Sequence, residues 1–372
     1  MTRTRWHAPG GGGDTPVDRL LDGAEATVSR GARELCCLLN ADAASFERAA
    51  QNLLRSTGTR VGSELMRQVV ECEGRRVLDC CQLGRLDPAW GPGACTTQGV
   101  SRQYLGCDGF TARLVGGAEK KLRRGGVRQK RRRRNRHRAR LKPLPRPKPG
   151  ADQAFKEFKL VTFYDEAAEH RLVSVTRKGH HAAGRLMRRD GRRCGFFDAQ
   201  QKLAVIDGGP WIINQVRRQS LPVDAVCLDF FHLAENVHKA RRSCFGEEDP
   251  AGHAWAAGLL HAAKHRGYED LRDALVKWRG TLRAAAKRRA ADLLTNYVTD
   301  RREMIRYPQF LKEGWQIGSG PTESQCKQVP RRVKGRGKRW DADNAEAVMA
   351  LEAMRQSDLS DTYWKTCAAS FN

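Results

Sequence analysis

Apolar residues recur at helical spacing through the N-terminal part of the chain, from residue 17 to residue 88. The stretch FERAAQNLLRSTGTRVGSELMRQVV, which begins at Phe46, carries this spacing on both sides of a TGTRVGS break. It predicts two helices joined by a turn, and both a small helical bundle and a helix-turn-helix module share this pattern. Residues 1–16 are glycine-rich and polar and cannot form a core, so we expect them to be disordered, and we expect residues 17–100 to form a helical domain.

The pattern changes at Tyr104, where short β-rich runs replace the helical spacing. YLGCDGFTARLV, FKEFKLVTFYD and HRLVSVTRKG predict three strands, and the polar turn between the last two predicts a hairpin. A helix-like segment at 181–189 follows, and then apolar runs at 202–207 and 225–229 that each end in an acid and precede a helix. This order of three strands, helix, strand, helix, strand, helix predicts an α/β domain.

A long helical segment follows the predicted strands. Residues 250–305 are almost entirely helical in pattern, and the apolar positions suited to a packed face are Trp255, Leu259, Leu260, Leu271, Leu275 and Trp278. The stretch GWQIGSGPTESQCK, residues 314–327, then places Glu323 after several glycines and a proline, where a helix should begin. Pro330 should end or kink that helix, and NAEAVMALEAMRQ predicts one more.

The charge of the chain indicates its kind of partner. The sequence has 372 residues, a formal net charge of +26 and a pI of about 10.1. This balance points to a polyanion, with nucleic acid ahead of an anionic membrane surface. Given this charge, a DNA-reading module fits residues 17–100 as well as a plain bundle does, and we assign DNA binding to this domain.

Hydropathy and cysteine usage argue against membrane and secreted proteins. No run of 18 apolar residues predicts a membrane-spanning helix, and the N-terminal residues lack the apolar core of a signal peptide. The twelve cysteines are scattered without a CxxC spacing, so we expect reduced thiols, and no spacing supports a zinc site. We expect a cytoplasmic, nucleoid-associated protein without a membrane partner or a small-molecule substrate.

Residues 120–148 form a basic run that contains 16 Lys or Arg residues and no acid. Without it the formal charge is still +10, which is 26 minus 16. Like charges at this density repel one another, and prolines near its end block a helix. We interpret residues 119–150 as a flexible insertion that contacts phosphates, and nuclear localisation is the alternative. The arginines that we assign to DNA contact here are Arg131, Arg132, Arg133, Arg134 and Arg136.

Two acids on the predicted strands suggest a metal site. KLAVID ends in Asp207 before a Gly-Gly-Pro turn, which places this carboxylate at the carboxyl edge of the sheet, where ligands bind in open α/β folds. Asp108 lies inside an apolar strand, where an unpaired carboxylate is costly to desolvate unless a divalent cation compensates it. If the two strands are neighbours, both carboxylates can share Mg²⁺, which prefers hard oxygen ligands.

Each candidate also has a structural explanation. Asp207 could simply form the turn before Gly-Gly. With Gly320 as N-cap, Glu323 would be a first-turn acid that stabilises the helix dipole. Asp229 is a natural N-cap for the helix that follows it, and His232 could be a packed surface histidine.

Taken together, these segments resemble bacterial insertion-sequence transposases of the DDE type, in particular the IS-Kra group, which is related to Mutator-like elements. The resemblance extends from about Ser45 to Trp364 and is carried by YLGCDGFTARLV, FKEFKLVTFYD, VIDGGPWI, LDFFHLAENVHKA, RYPQFLKEGWQIGSGPTESQCK and GKRW. It implies a ribonuclease-H-like catalytic core with an all-helical insertion, after a helical N-terminal domain. The core would comprise residues 101–240 and 311–356.

The resemblance also implies roles for single residues. Asp108, Asp207 and Glu323 match the three catalytic acids, which would hold two Mg²⁺ ions, with Mn²⁺ as a substitute. Asp229 and His232 match a D-x-x-H element whose role is active-site support or contact with the DNA end.

Further expectations concern the C-terminal part. The helical insertion would span residues 241–310, and residues 357–372 would form a C-terminal tail. Trp340 matches the tryptophan of an Arg-Trp pair with a supporting or DNA-end role. The basic residues expected to contact DNA phosphates are Lys327, Arg331, Arg332, Lys334, Arg336 and Arg339.

The implied function is cleavage and transfer of DNA strands. The metal ions would activate water to nick a strand at the inverted ends of the element, and then the freed 3′-hydroxyl for transfer into target DNA. The partners would be these duplexes and further copies of the chain. The alternatives are a ribonuclease-H-like nuclease without strand transfer, a catalytically inactive DNA-binding derivative, and RNA binding through the arginine-rich run.

Overall fold

The computed structural model describes residues 28–97, 99–118, 121, 125, 156–335 and 338–367, and two short segments, 6–7 and 13–14. Trp6–His7 pairs antiparallel with Gly13–Asp14, within the segment for which the sequence predicts disorder. Arg131 to Arg134, Arg136 and Arg336 lie outside the described residues.

Three helices form the N-terminal part, as the apolar spacing predicts: α1 (Arg30–Ala41), α2 (Phe46–Thr57) and α3 (Ser63–Gln82). The hydroxyl of Ser45 accepts a hydrogen bond from the N–H of Arg48 and so caps the start of α2. Gly58, with a φ of 71°, ends this helix in the left-handed conformation. The TGTRVGS segment is therefore the boundary between two helices.

The central mixed sheet has five strands: β1 (Val100–Ala112), β2 (Lys156–Tyr164), β3 (Arg171–Thr176), β4 (Gln201–Ile206) and β5 (Ala225–Leu228). Their order is β3-β2-β1-β4-β5, and Thr96–Thr97 pairs with the start of β1. The pairs β1–β2 and β2–β3 are antiparallel, whereas β1–β4 and β4–β5 are parallel. The predicted hairpin is confirmed, and the carboxyl ends of β1, β3, β4 and β5 lie at one edge of the sheet.

Three helices alternate with the last strands: α4 (Gly179–Arg193), α5 (Pro210–Arg218) and α6 (Phe230–Phe245). The predicted order of elements is confirmed, but α4 is longer at both ends than the expected 181–189. Near its end, Gly191, which has no side chain, packs closely against the ring of Phe163; a Cβ there would lie 3.1 Å from the ring. The ends of α4 contain glycines and arginines rather than regularly spaced apolar residues, so the sequence pattern predicts a shorter helix.

The predicted helical segment contains α7 (Pro250–His265), α8 (Tyr268–Thr281), α9 (Ala285–Thr299), a short 3₁₀ turn and α10 (Tyr307–Lys312). Its apolar face is confirmed, since Leu271 and Leu275 are fully buried. The rings of Trp255 and Trp278 lie 4.2 Å apart and pack against Phe245 of α6. This face holds the helical segment against the end of the α/β part.

The C-terminal part contains α11 (Gly320–Gln328), α12 (Ala342–Gln356), α13 (Ser360–Thr362) and a final π-helical turn, Tyr363–Cys367. Ser319 rather than Gly320 is the N-cap of α11, because its carbonyl accepts the N–H of Glu323 at 3.0 Å. The helix ends before Pro330, as expected. Residues 357–364 of the predicted tail are packed: Tyr363 is fully buried and its hydroxyl donates to Glu73 Oε2 at 2.7 Å.

The N-terminal helices share their core with the sheet. Leu53 and Met66 belong to one apolar cluster with Phe110 of β1 and Phe158 of β2. This mixed α/β architecture is compatible with a ribonuclease-H-like core. No helix within the described part of the chain is long and apolar enough to cross a membrane, and the eleven cysteines described there are free thiols.

Candidate active site

The pairing register brings acids from three neighbouring strands to the same level. Leu105 of β1 lies opposite Ala204 of β4, and the same register three residues further on makes Asp108 level with Asp207. The register between β4 and β5 likewise makes Asp207 level with Asp229. Because neighbouring strands lie about 4.8 Å apart, these acids form a row across the carboxyl edge of the sheet.

Helix α11 lies directly over β1 beside this row. A Cβ on Gly106 would lie 1.7 Å from the hydroxyl oxygen of Thr322, so the missing side chain of Gly106 makes room for the helix. Asp108, two residues along the strand, faces the same side of the sheet. Burial and then the charge of Asp108 raise the pKa of the Cys326 thiol, which lies one helical turn after Thr322. The backbone of Glu323 is thus held close to Asp108.

Asp207 is half-buried and interacts with Asp108. Burial raises the pKa of the Asp207 carboxyl, and the neighbouring Asp108 carboxylate raises it further. A hydrogen bond of 2.7 Å from the N–H of Gly209 lowers that pKa, as do the positive charges of His232 and Arg301. Two carboxylates held this close in a partly desolvated site favour the binding of a cation.

Arg301 reaches this site from the residues that follow α9. Its guanidinium stacks on the ring of Tyr297 at 4.0 Å and donates from Nη1 to the Tyr297 carbonyl at 3.1 Å. Its Nε is buried and has no hydrogen-bond partner among the described residues. Gly208 adopts a φ of 77°, and a Cβ there would lie 2.4 Å from this Nε. The helical segment therefore supplies a cation to the loop that carries Asp207.

Asp229 is fully buried and connects two elements of the site. Its Oδ2 accepts the N–H of His232 at 3.0 Å and so caps α6, as the sequence predicts. Its Oδ1 accepts the N–H of Ser319, the residue before α11, at 2.7 Å. Asp229 thereby fixes the start of the helix that carries Glu323. This burial is compatible with the supporting role expected for Asp229, which stays a prediction.

Further hydrogen bonds hold the segment that leads into α11. The N–H of Phe230 donates to the Ile317 carbonyl at 2.9 Å. Arg102 at the start of β1 donates to the Gly314 carbonyl at 2.9 Å. Residues of β1 and α6 therefore fix this segment at both ends, and Glu323 lies on a positioned helix rather than on a free loop.

His232 is the cation of the cluster. Its Nδ1 lies 2.7 Å from Asp229 Oδ2, and this hydrogen bond raises the pKa of His232 to about 9. The ring is therefore protonated at neutral pH, and Nε2 remains available for a second contact. His232, Asp229 and Glu323 each offer a ligand atom within 4.8 Å of the others.

This cluster differs from the predicted metal-binding set. Among the described residues, the group with potential ligand atoms within 4.8 Å of one another contains Glu323 but not Asp108 or Asp207. The structure thus brings Glu323 to the Asp229–His232 pair, and pairs Asp108 with Asp207 beside it. Cys326 and His232 connect the two halves electrostatically, since Cys326 interacts with Asp108 and Glu323, and His232 with Asp207.

Arg332, which is predicted to contact DNA, requires correction, whereas the predicted supporting role of Trp340 stays a prediction. Arg332 is buried, with its guanidinium over the rings of Phe46 and Trp340 and its Nε donating to Asn40 at 3.1 Å. Trp340 is also buried, and its carbonyl accepts the N–H of Val115 at 2.9 Å. Both residues join the N-terminal helices to the core. An aromatic ring pair can stabilise a buried guanidinium through cation–π contacts, whereas the sequence alone shows Arg332 only as a charged residue.

The other residues predicted to contact DNA phosphates in the C-terminal part, as far as the structure describes them, lie at the surface. Lys327, Arg331, Lys334 and Arg339 are exposed. Lys327 Nζ lies 3.8 Å from Glu323, and Arg331 pairs with Asp42. Their exposure is compatible with phosphate contact, which stays a prediction.

Three residues of this site are not evident from the sequence alone. Gly106 has a signal, since a glycine inside an apolar strand indicates a close backbone approach. Arg301 is one of many arginines in a helical stretch, and Cys326 resembles any other buried thiol. Their positions depend on how the helical segment and α11 pack on the sheet.

No protein-family model matches the sequence, and no curated protein matches it either. Among solved structures, the chain is similar to one in the "Drosophila P element transposase strand transfer complex". The two share 10% sequence identity and a TM-score of 0.30, over 95% of this chain and 84% of that one. A likeness of this degree defines neither fold nor function, so we base both on the sheet order and the site geometry.

Proposed function

We propose that this protein is a DDE-type transposase of the insertion-sequence kind, which cleaves and joins DNA strands at the edge formed by Asp108, Asp207 and Glu323. The observation that carries the proposal is the proximity of Asp108 and Asp207 beside α11, the helix that packs over β1 and carries Glu323. The sheet register aligns the first two, and Asp229 fixes the helix that carries the third.

The residues fit a divalent cation by their chemistry. Carboxylate oxygens are the ligands that Mg²⁺ prefers, and burial, with a smaller effect of the Asp108 carboxylate, raises the pKa of Asp207. Asp108, Asp207 and Glu323 would hold Mg²⁺ or Mn²⁺. The metal would supply a lowered pKa of the attacking oxygen and charge stabilisation at the leaving oxygen.

The protein groups around the acids position the substrate. Nε2 of protonated His232 can donate to a phosphate oxygen, because Nδ1 is already engaged by Asp229. Arg301 presents a guanidinium beside Asp207, and the donors of a guanidinium match the geometry of a phosphate group. The net charge of +26 attracts a polyanion to the protein.

A single metal ion on Asp229, His232 and Glu323 is the second candidate, because these three side chains lie within 4.8 Å of one another. It would suit a nuclease without strand transfer. We favour the acid set, since both oxygens of Asp229 already accept hydrogen bonds and His232, with a pKa of about 9, is protonated rather than free to bind a metal.

The decisive variant is Asp207→Asn, which keeps the shape and the turn but removes the charge. Mg²⁺-dependent cleavage of duplex DNA should fall by about a thousandfold, as expected for a lost interaction of several kcal/mol. Folding and DNA binding should persist. Asp198→Asn, at an exposed acid away from the site, is the matched control and should cleave normally. Normal cleavage by the Asp207 variant removes this residue from the mechanism.

Strand transfer separates the proposed enzyme from its rivals. A donor duplex with the element ends, incubated with a target plasmid, should give joined products. Hydrolysis without joined products indicates a nuclease. Tight binding without cleavage under any divalent metal indicates an inactive derivative. Because two element ends must be held together, we also propose that the active form contains at least two copies of the chain.

A further inference from the structure

Five arginines line an open groove of about 480 Å³ on the C-terminal half of α4, together with Gly84 and Gln219. These arginines are Arg185, Arg188, Arg189, Arg192 and Arg193. The groove takes no part in the active site described above.

Two of these arginines are held by acids and build the wall of the groove. Arg189 and Arg193 both contact Asp190 Oδ1, at 2.7 Å and 3.1 Å, and Asp190 is buried. Arg193 also pairs with Asp87 at 3.0 Å, which joins α4 to the loop after α3. These two side chains are therefore structural.

The other three arginines have no acid partner among the described residues. Arg185, Arg188 and Arg192 are exposed and recur at helical spacing, so they lie along one face of α4. An uncompensated row of guanidinium groups around an open groove fits an anionic surface rather than a protein core.

The topology places this row away from the acids. Helix α4 begins after β3, at the carboxyl edge of the sheet where Asp207 lies, and ends before β4, at the opposite edge. The six residues of β4 span about 20 Å between these edges. DNA that binds to these arginines is therefore a different segment of the duplex from the one in the active site.

We propose that Arg185, Arg188 and Arg192 form a second contact surface for duplex DNA. This surface binds the phosphate backbone away from the catalytic edge, towards the opposite edge of the sheet. This inference rests on the proposed function for the nature of its ligand.

The dimensions of the row suit a duplex backbone. Seven residues of α-helix cover about 10 Å, and one strand of a duplex carries a phosphate about every 3.4 Å along its axis. Three arginines can therefore meet about three phosphates. Since guanidinium groups on a helix face contact phosphates without reading base edges, the surface should bind all sequences alike.

The test measures the salt dependence of DNA binding by the full chain. The triple variant Arg185→Ala, Arg188→Ala, Arg192→Ala should lower the magnitude of the log–log salt slope by about 2–3, since each phosphate contact contributes about 0.9. A triple lysine variant at the same positions keeps the charge and should retain most of the slope. The melting temperature of each variant reports whether it folds.

The matched control removes three other exposed arginines of the helical segment: Arg266→Ala, Arg272→Ala, Arg302→Ala. Each has an acidic neighbour, so its charge is already compensated, and their removal should change the slope by less than one contact. An equal loss of slope in this control would mean that net charge alone matters, which overturns the inference. An unchanged slope in the folded α4 variant overturns it too.

Two further comparisons identify the ligand and separate this inference from the proposed function. A loss of affinity for duplex RNA that exceeds the loss for duplex DNA contradicts the surface as proposed. If Asp207→Asn abolishes cleavage while the α4 variant keeps the wild-type slope, the proposed function stands and the second surface fails. If the wild-type chain never cleaves but the α4 variant loses slope, the surface stands and the proposed activity fails.

Discussion

Replacing Gly106 by alanine tests whether the close contact between β1 and α11 sets the position of Glu323. The added methyl group would lie 1.7 Å from Thr322 Oγ1, 2.9 Å from Thr322 Cβ and 3.0 Å from Thr162 Cγ2. Rotation of the Thr322 side chain relieves only the first of these contacts. The helix must therefore move away from the strand.

The size of this movement follows from the contact distances. Ordinary van der Waals contact begins at 3.4 Å, so once the Thr322 side chain rotates, relief of the remaining 2.9 Å contact with Thr322 Cβ requires about 0.5 Å of displacement. Glu323 follows Thr322 directly in α11 and moves with it. A misplacement of about 1 Å in a catalytic group costs about a hundredfold in rate, so we expect roughly a tenfold loss of cleavage from half that movement. Overpacking should also lower the unfolding free energy by about 1–3 kcal/mol.

The assay is Mg²⁺-dependent cleavage of duplex DNA by the folded variant, with Mn²⁺ affinity measured in parallel. Gly109→Ala is the matched control, because it makes the same change in the same strand. Its methyl group would meet the carboxylate end of Glu157, an exposed and flexible side chain, at 2.6 Å. This control should cleave at nearly the wild-type rate. Adding Thr322→Ala to Gly106→Ala removes the closest atom and should restore part of the activity.

A result opposite to this expectation has a clear meaning. If Gly106→Ala folds, cleaves and binds Mn²⁺ like the wild-type chain, the position of α11 does not determine the activity. The assignment of Glu323 as a ligand would then lose its structural basis.

Other consequences concern the cations around the acids and the buried arginine. Arg301→Ala should reduce cleavage by about 10–100-fold with DNA affinity nearly unchanged, and Arg301→Lys should retain part of the cleavage activity. Equal single-turnover cleavage rates for Arg301→Ala and the wild-type chain would contradict a contact of Arg301 in the transition state. The pKa of His232 is raised to about 9, so its contribution to stability is fully present below about pH 6.5 and lost as the pH rises through 9. The melting temperature of His232→Asn should therefore differ most from wild type below pH 6.5 and converge with it near pH 9, and a constant difference would refute the ion pair with Asp229. Arg332→Ala should lower the unfolding free energy by about 2 kcal/mol through the lost ring stacking and the lost hydrogen bond, and leave the salt slope unchanged; a reduced slope would return Arg332 to the DNA surface.

The order of elements could be predicted from the sequence because each strand and helix has its own local pattern. The alternation of β4, α5, β5 and α6 follows from apolar runs that end in an acid, and Asp229 is recognisable as a cap by its position before Phe230. Period and capping are local properties, so they do not depend on the rest of the fold.

The contacts between distant segments could not be predicted in this way. Asp229 accepts a hydrogen bond from Ser319, ninety residues later, and Arg332 packs over the rings of Phe46 and Trp340, which are far apart in the chain. The three unpaired arginines of α4 look the same in the sequence as the two that Asp190 neutralises. In each case packing decides which charge is buried, which is paired and which is free to bind a ligand.

The most direct measurement is a crystal structure of the protein grown with Mn²⁺, in which anomalous scattering locates the metal. We expect manganese density in contact with the carboxylates of Asp108, Asp207 and Glu323. Density on Asp229, His232 and Glu323 alone, or ordered acids with no manganese between them at saturating concentration, would contradict the account.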